Sequence, residues 1–546
     1  MYCVQCEQSN KGGCAAKVGS CGKSAQVADM QDVLLRVMQG VSVYADRAAG
    51  AGGHDRRVDA FTPHAWFTTL TNVNFDAGRF TAMIAEALEV RDVARALAER
   101  VGADLADLPE PATWQPGATP LEWAAAAPFA AIQRFMDRDG PSIVGLRNLI
   151  LYGLKGTAAY SEHARVLGTE EQAVSAEFHR ISAFLAGDPT DMDALLREAL
   201  ALGALNLRVM ELLDAANTGR FGHPEVTMVR MTPRAGKALL VSGHDMGDLE
   251  AILLQTEGTG INVYTHGELL PANAYPGLRK FAHLAGNYGG AWQDQQKDFA
   301  AFPGAIVMTS NCLINPELKG YADRLFTAGP VGWAGVTHLA DHDFAPAIAR
   351  ALSLPGFAED AVEQTIPIGF ARNTVMGVAD TLLGMIRAGD VRNLFLIGGC
   401  DGARPGRNYF HDLAVGAPRD SLILTLGCGK FRFNREDLGT INGVPRVLDV
   451  GQCNDAYSAI RIATAVADAL GCGVNDLPLH YAISWFEQKA TAVLLTMLHL
   501  GLRRIHLGPT LPQFLTPEVM EVLMTTFDIR PTGDARQDLA EMLQAA

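Results

Sequence analysis

Hydrophobic and polar positions divide this chain into two stretches with different periods. From Met30 to about Asn217, apolar residues recur every three and four positions. MQDVLLRVMQGVSVYADRA and FTAMIAEALEVRDVARALAERV each set an apolar stripe opposite a charged one, which predicts amphipathic helices. The prolines and glycine of PEPATWQPGATP, Pro109 to Pro120, predict a loop between two helical sets. QGVSVYADRA, with Gly40, Tyr44 and Ala48, matches KGTAAYSEHA, with Gly156, Tyr160 and Ala164, so the second set reads as a copy of the first. The small residues would let helices approach closely, and each tyrosine would fill the groove beside them.

The period changes around TGRFGHPEV. Short β-rich apolar runs then alternate with helical segments such as DLEAILLQTEG and QKATAVLLTMLHLG. The predicted strands are ALLVSG, INVYTH, AIVMTSN, LFLIGG, LILTLG, PRVLDVG, YAISWF and RIHLG, a pattern that predicts parallel α/β sheets. Some three hundred residues are too many for one ordinary doubly wound sheet, so two are expected, with a break near Phe370. The predicted fold class is therefore multidomain, α plus α/β. The predicted units are 1–222, a cysteine loop plus duplicated helical bundles, then 223–370 and 371–546, each a parallel-sheet domain.

The chemistry lies where these strands end. ALLVSG runs into His244, INVYTHG into Glu268 and AIVMTSN into Cys312. LFLIGG runs into Cys400, LILTLG into Cys428, PRVLDVGQ into Cys453 and YAISWF into Glu487. Ligands of an open parallel sheet bind beyond the carboxyl ends of its strands, so residues far apart in sequence can converge there. A lone cysteine after a strand is ordinarily a small buried hydrophobe. The recurrence is what argues for a site. Glycines beside the cysteines (Gly399, Gly427, Gly429) would let backbone come close to a bulky group. Cys472, which follows a helix, reads as packing only.

Four thiols, two carboxylates and an imidazole are too many donors for one zinc, and calcium and magnesium disfavour sulfur. A multinuclear iron centre fits, with thiolates on its soft side and carboxylate and imidazole on a harder iron with exchangeable positions. A second thiol group opens the chain: Cys3, Cys6, Cys14 and Cys21, spaced C-x2-C-x7-C-x6-C. No histidine accompanies it and no second CxxC follows, so an iron–sulfur cluster is expected ahead of zinc. Near the surface, it would take electrons from a partner and pass them inward.

Composition narrows the setting. The chain has 546 residues and 9 cysteines, an odd number, and Met1 is not followed by a basic then apolar leader. Reduced thiols in the cytoplasm are expected, not disulfides. No apolar run of roughly 18 residues predicts a membrane span. A net charge of −15 argues against a nucleic-acid partner.

Taken together, MYCVQCEQ, SCGKSAQVADMQD, VSGHDMGDLEAILLQTEGTGINVYTHGELLPA, TSNCL, GGCDGARPGRNYF, LTLGCGKFRFN, RVLDVGQCNDAYSAI, SWFEQKA and LGPTLP resemble the hybrid cluster protein, or prismane, family from end to end. The resemblance implies a helical domain and two Rossmann-like domains, with kinship to carbon monoxide dehydrogenases. It implies that His244, Glu268, Cys312, Cys400, Cys428, Cys453 and Glu487 hold a hybrid 4Fe–2S–2O cluster at the domain interface, with Cys400 as a persulfide. It implies a 4Fe–4S cluster on Cys3, Cys6, Cys14 and Cys21, with 2Fe–2S as the alternative, because x7 matches the family's short spacing and x6 its long one.

The activity implied is reduction of hydroxylamine to ammonia and water, with an NADH-linked flavin reductase as electron donor. Cys400, Glu268, Glu487 and Lys489 are the expected catalytic residues, and Lys489 and His266 the candidates for proton delivery. The alternatives are reduction of nitric oxide to nitrous oxide at the same centre, and a protein S-nitrosylating redox switch. No G-x-G-x-x-G follows a strand, so no NAD site is expected on this chain.

Overall fold

The computed structural model describes residues 2–9 and 12–544. Eight helices come first: α1 (Ala25–Gly50), α2 (Arg56–Phe67), α3 (Ala77–Arg100), α4 (Glu110–Thr113), α5 (Pro120–Ala130), α6 (Met136–Val166), α7 (Gln172–Ala186) and α8 (Met192–Phe221). Their starts follow from capping chemistry. Ser24, Asp55, Asp76 and Asp191 each accept a hydrogen bond from a first-turn backbone N–H of α1, α2, α3 and α8. The stretch expected as loop, Pro109 to Pro120, contains the single turn of α4, because Pro109 and Pro111 sit at its start, where a missing N–H costs nothing.

Helices α1–α3 and α6–α8 each form a long–short–long succession. Gly40 on α1 and Gly156 on α6 both admit a neighbour's backbone: a Cβ on Gly40 would lie 2.2 Å from the Pro111 carbonyl, and one on Gly156 would lie 2.3 Å from that of Gln488. The second contact seats α6 against the helix Gln488–His499, which follows Glu487.

The remaining chain forms two six-stranded parallel sheets. The strands are β1 (Thr227–Arg230), β2 (Lys237–Ser242), β3 (Ile261–His266), β4 (Leu284–Asn287), β5 (Ala305–Met308), β6 (Leu325–Ala328), β7 (Thr337–Leu339), β8 (Thr365–Ile368), β9 (Asn393–Gly399), β10 (Ser421–Leu426), β11 (Thr440–Ile441), β12 (Val444–Pro445), β13 (Val447–Gly451), β14 (Leu479–Ser484), β15 (Ile505–Gly508) and β16 (Ile529–Pro531). The first sheet runs β4-β3-β2-β5-β6-β7 and the second β13-β10-β9-β14-β15-β16. Counted within each sheet, both orders are 3-2-1-4-5-6, the doubly wound order whose crevice opens where the winding reverses. β1 and β8 pair antiparallel, Thr227 opposite Ile368, and tie the chain entering the first sheet to the chain leaving it.

All eight predicted strands are present, and two of them end earlier than expected by two residues or more. β5 stops at Met308, so Thr309 to Cys312 form a loop, and β14 stops at Ser484, ahead of Trp485 and Phe486. Among the described residues no helix is long and apolar enough to cross a membrane.

Candidate metal centre

His244, Glu268 and Cys312 follow β2, β3 and β5, neighbours at the middle of the first sheet. Cys400, Cys428, Cys453 and Glu487 follow β9, β10, β13 and β14, four consecutive strands of the second. Each lies within four residues of its strand's carboxyl end. The sheets therefore present their crevices to each other. One ligand atom each from His244, Glu268 and Cys453 lies within 4.8 Å of the others.

The seam is stitched by hydrogen bonds. The Cys453 N–H donates to Glu268 Oε2 at 2.9 Å, and the Gln452 side-chain amide donates to the carbonyls of Glu268 (2.8 Å) and His244 (3.1 Å). Trp292 Nε1 reaches the Asp401 carbonyl at 2.8 Å. Gly427 leaves a cradle, because a Cβ there would sit 3.4 Å from Glu268 Oε1 and 2.5 Å from the Gly399 carbonyl. Cys312 has φ +79°, uncommon for a residue with a side chain. It is held there by the Asn72 carbonyl, which accepts from the N–H groups of Cys312 (2.9 Å) and Leu313 (2.8 Å).

Lys489, 1% exposed, stands inside this set. Its ammonium donates to His244 Nε2 at 2.9 Å and Asn311 Oδ1 at 2.7 Å, and lies 3.8 Å from Glu487 Oε1. His244 Nδ1 then faces Ser310 Oγ at 2.7 Å. Burial disfavours the Lys489 charge, but Cys453, Glu487, Cys312 and Glu268 outweigh it and raise its pKa. Burial, with Lys489 and His163 acting the same way, pulls the His244 imidazole well below its ordinary range. Burial pushes the Cys312, Cys400 and Cys428 thiols well above theirs, and the Cys453 thiol up to about 12. Ligand thiols must shed their protons, and a bound metal's own charge drives that loss. The donor set, with soft sulfurs beside oxygens and one imidazole, fits an iron–sulfur group carrying harder iron.

The N-terminal thiols also come together. The Cys3 and Cys14 backbones bond each other in both directions, at 3.0 and 2.8 Å. Cys6 is buried and feels the Cys21, Cys3 and Cys14 thiols, which with burial raise its pKa well above normal. The loop rests directly on the inner site: the Glu7 N–H donates to the Phe486 carbonyl at 2.9 Å, one residue before Glu487. Phe486 packs with Trp292, Cys312 and Cys428 in one apolar cluster. Arg407, fully buried, lies 3.2 Å from Glu7 and donates to Ser484 Oγ (2.6 Å) and the Trp485 carbonyl (3.0 Å).

A profile of the Prismane/CO dehydrogenase family matches residues 1–540. The chain belongs to that family. Proteins named hydroxylamine reductase resemble it along their whole length. That of Burkholderia lata is 56% identical over 551 residues, spanning 100% of this chain and 99% of that one. That of Acidithiobacillus ferrooxidans is 52% identical over 553 residues, with the same coverage. Among solved structures, carbon monoxide dehydrogenase IV from Carboxydothermus hydrogenoformans shares the fold at 16% identity, with a TM-score of 0.56 over 99% of this chain and 92% of its own. A carbon monoxide dehydrogenase from Thermococcus sp. AM4 does likewise, at 17% identity and a TM-score of 0.54 over 100% of this chain and 90% of its own.

Within this Prismane/CO dehydrogenase architecture, one expected residue is turned elsewhere. His266 bonds Ser242 Oγ at 2.9 Å and lies 3.4 Å from Asp298 Oδ2, against the Phe299 ring, so it braces β3 and reaches none of the donors. Alternation would put residues two apart on one face, but His266 is the last residue of its strand and Glu268 has already entered a 3-10 turn, so the two part. Cys472 is half-buried at the end of the helix Ala456–Leu470, its sulfur 3.8 Å from the Ala467 carbonyl. Asn311 escaped the sequence reading. Its side chain donates to Cys312 Sγ (3.2 Å) and Glu487 Oε1 (3.4 Å) while accepting from Lys489. The signal available was an amide immediately before a strand-end cysteine. His163 and Tyr160 of α6 were missed as ligand neighbours: the His163 ring stacks on His244 at 6.0 Å, and the buried Tyr160 hydroxyl lies in the field of the Cys453 thiol.

Proposed function

We propose that this chain is an iron–sulfur oxidoreductase that reduces hydroxylamine with two electrons and two protons to ammonia and water. The observation that carries the reading is the meeting of His244, Glu268 and Cys453, brought from two sheets, beside the buried Lys489. The full-length relatives named hydroxylamine reductase support it. His244, Glu268, Cys312, Cys400, Cys428, Cys453 and Glu487 would hold a hybrid 4Fe–2S–2O cluster, with Cys400 as persulfide. Cys3, Cys6, Cys14 and Cys21 would hold 4Fe–4S. When bound, the inner group supplies electrons at short range and an iron that polarises the N–O bond.

The protein's own residues do the rest. Lys489 holds a proton within the site and is the general acid for the departing oxygen. Asn311 fixes Lys489, Glu487 and Cys312 relative to one another. Trp292 and Phe486 wall the site against water. The Glu7–Phe486 contact joins the cysteine loop to the inner site and would be the route between the two groups. The chain works as three units, 1–222, 223–370 and 371–546, in the cytoplasm, with an NADH-linked flavin reductase as donor.

The apolar wall of Trp292, Phe486 and Ala291 also suits an uncharged diatomic, which favours nitric oxide reduction to nitrous oxide as the second reading. The deciding experiment measures iron per chain after anaerobic purification, then turnover of hydroxylamine and of nitric oxide with one electron donor. One ammonia formed per hydroxylamine at low substrate supports the first reading. Turnover of nitric oxide alone at low concentration replaces it with the second, and single turnovers that modify a partner's thiol favour a redox switch. Absence of iron beyond the N-terminal group's complement refutes all three.

A further inference from the structure

Two lysines are buried against the N-terminal cysteine loop. Lys155 of α6 donates to the side-chain oxygen of Gln5 at 2.8 Å and to the Thr69 carbonyl at 3.2 Å. Gln5 lies between Cys3 and Cys6. Lys23, just past Cys21, donates to Gln31 Oε1 at 2.5 Å. Each lysine is 2% exposed. All these partners are neutral. Asp32 shares their field, yet pairs with neither among the described residues.

A buried ammonium with only neutral partners is poorly compensated. Burial, reinforced by Lys23, pulls Lys155 down to about 7 against the opposing pull of Cys3 and Asp32. A natural counter-charge lies next to it, because thiolates holding iron and sulfide carry net negative charge. Reduction of such a group adds one electron from the donor, breaks no bond and makes the group more negative. A fixed positive charge in a low-dielectric surrounding stabilises that added charge, and salt screens it little. Net charge around a cluster is one of the quantities that set its potential.

We propose that Lys155 is the potential-setting residue of the N-terminal iron–sulfur group: its buried ammonium is the group's counter-charge and favours the reduced form. This rests on the assignment of iron–sulfur to Cys3, Cys6, Cys14 and Cys21. Lys155 touches no reacting atom; it acts through the field at the loop. The exposed Lys17, in the same loop between Cys14 and Cys21, serves as the control because water screens it.

The test is a potentiometric titration of the iron-loaded full-length chain, followed by electron paramagnetic resonance. In Lys155→Met the ratio of reduced to oxidised N-terminal group at fixed potential falls at least about tenfold, equivalent to ~59 mV for a one-electron centre. Lys155→Arg restores most of the shift, and Lys17→Met produces little of it. If Lys155→Met fails to load iron, Lys155→Gln removes the charge while keeping a donor for Gln5, and the same shift is expected. A loaded, charge-deleted variant with the wild-type potential overturns the inference, as does an equal shift in Lys17→Met. A wild-type chain with no iron on the quartet overturns the assignment beneath it instead.

Discussion

The two thiol sites are built on opposite plans. The outer four cysteines occupy one short loop, and three of them are only half-buried. The inner seven donors span His244 to Glu487, and each follows a rigid strand. A loop can bring thiols together with few long-range contacts and stay near solvent, where a partner can reach. Strand ends fix their donors through the sheets themselves, and the crevice between two sheets excludes water. The difference fits the proposed division of labour, with electrons collected at the loop and chemistry confined to the seam.

That contrast can be broken from either side. The largest effect is expected for Cys400→Ala, which abolishes turnover and lowers or reshapes the inner iron while leaving the spectrum of the N-terminal group intact. Simultaneous loss of both signals would show that the sites are not separable. Arg407→Met attacks the join between them, removing the nearer and more deeply buried of the two guanidiniums, Arg407 and Arg404, that face the buried Glu7 carboxylate. Breaking such a pair costs about 3–5 kcal/mol, read as a lowered midpoint in chemical denaturation, and a wild-type midpoint would demote Arg407 to a bystander. Cys3→Ala should leave the inner iron count unchanged and slow turnover with the physiological donor on the order of tenfold or more, in the range for a damaged metal site. The smallest effect belongs to Cys472→Ala, for which iron content and turnover stay at wild-type values; a loss of iron there would make it a ligand.

Much of this arrangement was readable in advance, and the reasons differ by region. The strands that carry donors are buried apolar runs, most of them stopped by glycine, so their existence stood out and so did most of their carboxyl ends, β5 and β14 stopping earlier than expected. The strands that escaped, LAGN of β4, LFTA of β6, THL of β7 and IRP of β16, are short and lie to the sides of their sheets, where a few hydrogen bonds to a neighbour decide the conformation. The β1–β8 pairing joins residues more than a hundred positions apart, which no local period can encode. Positions of donors followed from the strand rule, whereas their mutual geometry did not. His266 and Lys489 looked equivalent in sequence, each two residues from a glutamate. Only the packing of β3 against Asp298 and Phe299 turns the first away.

The shared winding of the two sheets bears on how the protein is made. Three donors belong to the half synthesised earlier and four to the half synthesised later, so the inner pocket does not exist until both have folded and closed on each other. On the proposed ligand assignment, cargo lodged there would bond across the junction and act as a rivet. Maturation would then be ordered: iron delivered before closure would meet an incomplete set of ligands, and iron delivered afterwards would have to pass walls packed with Trp292 and Phe486.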